Sequence, residues 1–168
     1  MAEQTIIVHI NGYWRDQPKS NLPGQAGVFF VYEADYHEED QTVDLLKLLY
    51  IGEADNINSC IHNPEIHSSW MNYLMPGHEL CYAYASIDSY YRTRTKAAYI
   101  ITHKPPGNKN SQVEFHYDTT TLISTGKTAL INTVVTARKN RPYAQDSERP
   151  SHRKEMIPVR AVQVCSSK

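Results

Sequence analysis

Long apolar runs are missing from this 168-residue sequence, and none of its apolar segments approaches the ~20 residues that a transmembrane helix needs. Its first residues also lack the basic region followed by an apolar stretch that marks a secretory signal. We therefore expect a soluble, cytoplasmic protein with no membrane partner. Cysteine is scarce too. Cys60, Cys81 and Cys165 show no paired spacing, which argues against a disulfide framework or a structural zinc site and favours reduced thiols.

Basic residues are scarce in the first half of the chain, and acidic residues are scarce in the second. Residues 1–91 contain three basic and thirteen acidic side chains, a formal charge of −10, whereas residues 92–168 contain fourteen basic and five acidic ones, or +9. A basic half of this kind is typical of a surface that contacts DNA or RNA. The two halves can equally pair with each other, so charge alone leaves both interpretations open.

Local patterns predict an α+β fold in one domain over residues 1–137, followed by a charged, Pro-bearing tail over 138–168 that we expect to be flexible. β-Branched and aromatic runs predict strands, with a turn at Asn11-Gly12 and a hairpin over 118–137. Capping residues and prolines delimit the helices. The predicted strands are 4–10, 27–33, 42–52 and 79–87, and the predicted helices begin at Asp55 or Asn56, span 64–74, and run from Asp88 or Ser89 to His103.

Two short motifs lie about twenty residues apart in this pattern. Gly27-Val28-Phe29 opens one predicted strand, and Tyr50-Ile51-Gly52 closes the next. A Trp-bearing helix, a strand and a helix ending in Pro-Pro-Gly-Asn, with Asn108 last, follow in order. This arrangement resembles the GIY-YIG nuclease superfamily over about residues 27–108, and the flanking segments 10–15 and 124–130 resemble bacterial members. The resemblance implies a small central antiparallel sheet flanked by helices, here with an extra N-terminal strand and the C-terminal hairpin.

The resemblance also implies a chemistry, which is metal-assisted phosphodiester hydrolysis. In active members two tyrosines prepare the attacking water, an arginine holds the phosphate and a glutamate binds the divalent metal. The matching positions here hold Phe29, Tyr50, Cys60 and Lys96. Phe29 has no hydroxyl, Cys60 cannot make the two-pronged contact of an arginine, and the Lys96 ammonium would repel the cation. Tyr50 is the one retained position, so we expect hydrolysis to be lost.

Two absences show that a shifted alignment cannot restore the site. No arginine occurs between Asp16 and Tyr91, and Asp88 is the one acidic residue between Leu80 and Val113. We therefore predict a catalytically inactive GIY-YIG-like protein, with no metal cofactor, that acts by binding nucleic acid. The predicted contacts are Arg92, Arg94, Lys96, Lys104, Asn108 and the basic tail.

Two alternatives come from other functional classes. The chain is a protein-interaction module if its acidic segment 33–44 engages the basic surface of a partner protein. It is an unconventional Mg²⁺-dependent endonuclease if Tyr50 acts together with Asp88 or a histidine.

Overall fold

A computed structural model describes residues 3–17, 21–109 and 114–139. Over these residues six strands, three α-helices and one 3-10 turn follow one another along the chain. In chain order they are β1 (Gln4–Arg15), β2 (Gly27–His37), β3 (Thr42–Ala54), α1 (Ile57–Ile61), α2 (Pro64–Met71), β4 (Glu79–Ser86), α3 (Ser89–His103), the 3-10 turn (Pro106–Asn108), β5 (Thr120–Gly126) and β6 (Val134–Ala137).

The six strands form one sheet in the order β3-β2-β4-β1-β5-β6. The first four strands pair antiparallel, as do β5 and β6, whereas β1 and β5 run parallel from Gln4↔Thr120 to Ile10↔Gly126. The predicted α+β class is thus confirmed, with the extra N-terminal strand as β1 and the C-terminal hairpin as β5 and β6. After α3 the chain forms β5, which pairs with β1 on the side opposite β4 and runs parallel to β1. The complete sheet is therefore mixed.

Sequence patterns placed most elements correctly, with errors in several limits. β1 continues to Arg15 and β2 to His37, past the predicted ends at residues 10 and 33, because both strands keep their pairing with neighbours in the sheet. The turn predicted at Asn11-Gly12 is wrong, because pairing of Asn11 with Tyr84 and of Gly12 with Ala83 keeps this segment extended within β1. The second helix ends at Met71 rather than Leu74. The Leu-rich run before Gly52 is a strand, as predicted. The predicted tail lies outside the described residues except for Arg138 and Lys139.

Alternation of side chains along the strands places a separate apolar core on each face of the sheet. On one face Tyr99 of α3 packs with strand residues such as Val8 and Phe30. On the other face Trp70 of α2 packs with Phe29 and Tyr50, and α1 adds residues such as Cys60. Alternate residues of the two motif strands, including Phe29 and Tyr50, lie in this second core, so it determines what these family positions contact.

Candidate functional site

Three of the four family positions come together in the core beneath α1 and α2. The ring centroids of Phe29 and Tyr50 lie 5.9 Å apart, and both rings contact Trp70, at 5.9 and 5.4 Å. Cys60, on α1, belongs to the same buried cluster. Gly52 is required here, because a Cβ at this position would collide with the Phe29 ring and lie 2.7 Å from Cε1 of Tyr50. The motif residues therefore form a closed aromatic cluster.

Burial changes what the retained tyrosine can do. Tyr50 is only 7% exposed, and burial together with the nearby Glu53 carboxylate raises the pKa of its phenol to about 12. The phenol is therefore protonated at neutral pH and is a poor acceptor for a proton from water.

Among the described cysteines, Cys81 is a buried free thiol, whereas Cys60 is disulfide-bonded. The expectation of reduced thiols is wrong for Cys60, because spacing in sequence does not report which residues approach in space.

Lys96 lies on α3, where it meets the strand that carries the Tyr-Ile-Gly motif. Its Nζ is 2.6 Å from Oε1 of Glu53, and each side chain is 16% exposed. The Thr93 hydroxyl also donates to the two oxygens of Glu53, at 3.3 and 3.1 Å. Sequence reasoning did not identify Glu53 as a site residue. The signal that could have done so is a pair of residues: a carboxylate directly after Gly52, and a lysine at the position where the family has its acidic residue. The Lys96 ammonium and the Glu53 carboxylate therefore form a half-buried ion pair that neutralises both charges.

The two arginines predicted to bind nucleic acid also make contacts within the protein. Arg92 is 9% exposed, and its Nη1 is 2.5 Å from Oδ1 of Asp55. Arg94 donates from Nε to the Thr120 hydroxyl at 2.6 Å and from Nη2 to the Asp118 carbonyl at 3.0 Å. Together with Lys96, these cations attach α3 to the sheet and to the start of β5. A nucleic acid would have to break these contacts in order to bind Arg92, Arg94 or Lys96.

The two polar residues nearest the ends of α3 have structural partners as well. Asp88 caps the helix by accepting from the Tyr90 N–H at 2.9 Å. At the other end, His103 donates from Nδ1 to the Tyr99 carbonyl and accepts at Nε2 from the Asn132 N–H, both at 3.0 Å. Burial lowers the pKa of His103, so it is neutral at pH 7 and adds no charge to this surface.

Asn108, a predicted binding residue, is buried beside the motif strand. Its Oδ1 accepts from the Ile51 N–H at 2.8 Å, and its Nδ2 donates to the Ile51 carbonyl at 2.9 Å. The amide thereby replaces a neighbouring strand at the edge of the sheet, where β3 has no second partner in the described part of the chain. Asn108 positions the Tyr-Ile-Gly motif through these two bonds.

A cleft of about 650 Å³ lies at the carboxyl end of α3, between this helix, the 3-10 turn and β6. We call it the basic cleft, and it is lined by residues 100–102, 104, 105, 108, 109 and 136–138. Lys104, Lys109 and Arg138 are exposed at its rim, and no acidic residue of the described ranges lines it. No side chain of the described residues pairs with these three cations. Ile100, Pro105 and Ala137 are buried in its floor.

Within the described ranges, no three His, Cys, Asp or Glu side chains are grouped closely enough to hold a metal ion. No helix in the same ranges has both the length and the apolar character needed to cross a membrane.

The chain matches no family model, no curated protein and no solved structure. Membership of the GIY-YIG superfamily therefore stays a prediction from the motifs.

Proposed function

We propose that this chain is a catalytically inactive GIY-YIG-like protein that binds nucleic acid through the basic cleft. The observation that carries the proposal is the set of three exposed cations, Lys104, Lys109 and Arg138, around a concave surface that no acidic residue lines in the described part of the chain. Because no side chain of the described residues pairs with these three cations, they can contact phosphate oxygens. The predicted contact Lys104 belongs to this set, whereas Arg92, Arg94 and Lys96 are engaged inside the fold.

The contacts of the family positions support the loss of hydrolysis. Lys96 puts a positive charge where the resemblance requires a carboxylate, and Glu53 already neutralises that charge at 2.6 Å. Phe29 and Tyr50 are buried against Trp70, so neither presents a group to solvent that can activate water. Cys60 is buried in the same cluster and has no charge with which to hold a phosphate.

A salt titration tests the binding directly. The full chain is titrated into fluorescently labelled DNA and RNA oligonucleotides at increasing KCl, and log K is plotted against log salt. Three cleft contacts predict a slope of at least about −2 for a single strand, since each neutralised phosphate contributes roughly −0.7. The Lys127→Ala variant is the control and should give the wild-type slope, because Lys127 is exposed and lies outside the lining of the basic cleft. Absence of any affinity at low salt would refute the proposal.

A protein-binding role is the second candidate. Residues 38–41 form an exposed acidic turn between β2 and β3, which is complementary to a basic surface on a partner. Glu33, at the start of the predicted acidic segment, is instead buried and accepts from the Met75 N–H at 2.9 Å and pairs with His78 at 2.7 Å. Co-purification from the native cell tests this candidate, and a chain that migrates alone under mild conditions counts against it.

A further inference from the structure

The buried side chains beneath the charged rim of the basic cleft are apolar except for Asn108, and a site for phosphate alone would not need them. Ile100, Pro105 and Ala137 are buried there, and Ile101 is half-buried. The volume of about 650 Å³ falls in the range of small-ligand pockets, roughly 300–1,000 Å³. A flat, uncharged and partly apolar group fits such a floor, and in a nucleic acid that group is a base.

The position of the cleft at the carboxyl end of α3 points the same way. The last carbonyls of a helix lack partners within the helix, and the helix dipole places negative potential at this end. A phosphate is therefore disfavoured near the floor, whereas the amino group of a base is favoured. The rim cations Lys104, Lys109 and Arg138 then remain for the phosphates on either side.

We infer that the basic cleft accepts one unstacked base of a single-stranded nucleic acid, with the flanking phosphates held at the rim. This inference rests on the proposed function and gives its ligand class. A duplex keeps its bases stacked and paired, so only its phosphates reach the rim unless base pairs are opened, which costs free energy. Binding therefore distinguishes single strands from duplexes.

The test compares three probes of equal length and charge per strand. They are a single-stranded oligonucleotide, the same strand with consecutive abasic sites at its centre, and the annealed duplex. We expect the intact single strand to bind about tenfold more tightly than the abasic strand, because a base covers apolar surface of the floor that an abasic site leaves in contact with water. We also expect it to bind more tightly than the duplex when salt is raised.

Two variants locate the effect in the basic cleft. Thr102 is exposed in the lining, and Thr102→Lys adds a longer side chain and one positive charge at the place where the base would lie. We expect this variant to keep or increase its affinity for the abasic strand, while the ratio of intact to abasic affinity falls towards one. Tyr90→Lys is the matched control, because Tyr90 is 79% exposed near the start of the same helix, so the added charge should leave the ratio unchanged.

The possible failures are distinguishable. If the wild-type protein binds none of the three probes, the proposed function itself is wrong. If it binds all three equally, or if Thr102→Lys keeps the wild-type ratio, nucleic-acid binding stands and the base site is wrong.

Discussion

Replacing Lys96 with glutamate is expected to lower the free energy of unfolding by about 3 kcal/mol in metal-free buffer at pH 7, the lower end of the cost of breaking a buried ion pair, because this pair is half-buried. The change puts a second carboxylate beside Glu53, where Lys96 Nζ now lies 2.6 Å from a carboxylate oxygen and each side chain is 16% exposed. Urea unfolding measures the loss. Repulsion raises the pKa of one carboxylate in the folded state, so the loss should grow as pH rises through that pKa and be smaller in acid.

The charge swap is the matched control for this substitution. Glu53→Lys together with Lys96→Glu restores an ion pair at the same place, and we expect most of the lost stability to return. We also expect Mn²⁺ or Mg²⁺ to stabilise the Lys96→Glu variant but not the wild-type protein, because paired carboxylates with the nearby Thr93 hydroxyl provide the oxygen ligands that these ions prefer. A Lys96→Glu variant as stable as the wild-type protein would show that the Glu53–Lys96 pair does not hold α3 to β3.

Reversing two charges of the basic cleft is expected to weaken binding of an oligonucleotide on the order of 100-fold at low salt, because binding of this kind is dominated by phosphate contacts. The variant is Lys104→Glu with Lys109→Glu. Both residues are exposed and make no side-chain pair in the described part of the chain, so stability should change little. Fluorescence anisotropy of a labelled strand measures the affinity.

Lys47→Glu with Lys127→Glu makes the same change in net charge away from the basic cleft. Both lysines are exposed, and neither lines the cleft. We expect this control to weaken binding severalfold at most, through the general loss of positive potential. Equal losses in the two double variants would show that binding follows net charge and not the cleft.

Local signals explain why α3 and β3 were predictable. The helix begins after Asp88, whose side chain accepts from the Tyr90 N–H, and it ends just before Pro105-Pro106. The strand ends in the glycine-bearing motif, where Gly52 leaves room for the rings of Phe29 and Tyr50. The signals that limit the helix act over a few neighbouring residues, so they are visible in the sequence. Gly52 is visible as part of a short motif, although the Phe29 ring that it accommodates lies on the neighbouring strand β2.

The pairings that define the candidate site were not predictable in this way. Glu53 and Lys96 are 43 positions apart, and Arg92 reaches Asp55 across 37. The basic cleft joins the end of α3 to β6 through the sheet order, which sequence patterns do not specify. The basic half of the sequence therefore did not show which cations can contact a ligand, because Arg92, Arg94 and Lys96 are held by contacts within the protein.

Binding without hydrolysis is tested most directly by measuring both on one sample. End-labelled single- and double-stranded oligonucleotides are incubated with the full chain and Mg²⁺ or Mn²⁺ at low salt, and each sample is divided between a native gel and a denaturing gel. We predict a shifted band on the native gel and full-length strands on the denaturing gel after hours. Cleavage by the wild-type protein that disappears in a Tyr50→Phe variant would contradict this and would establish Tyr50 as the centre of an active nuclease.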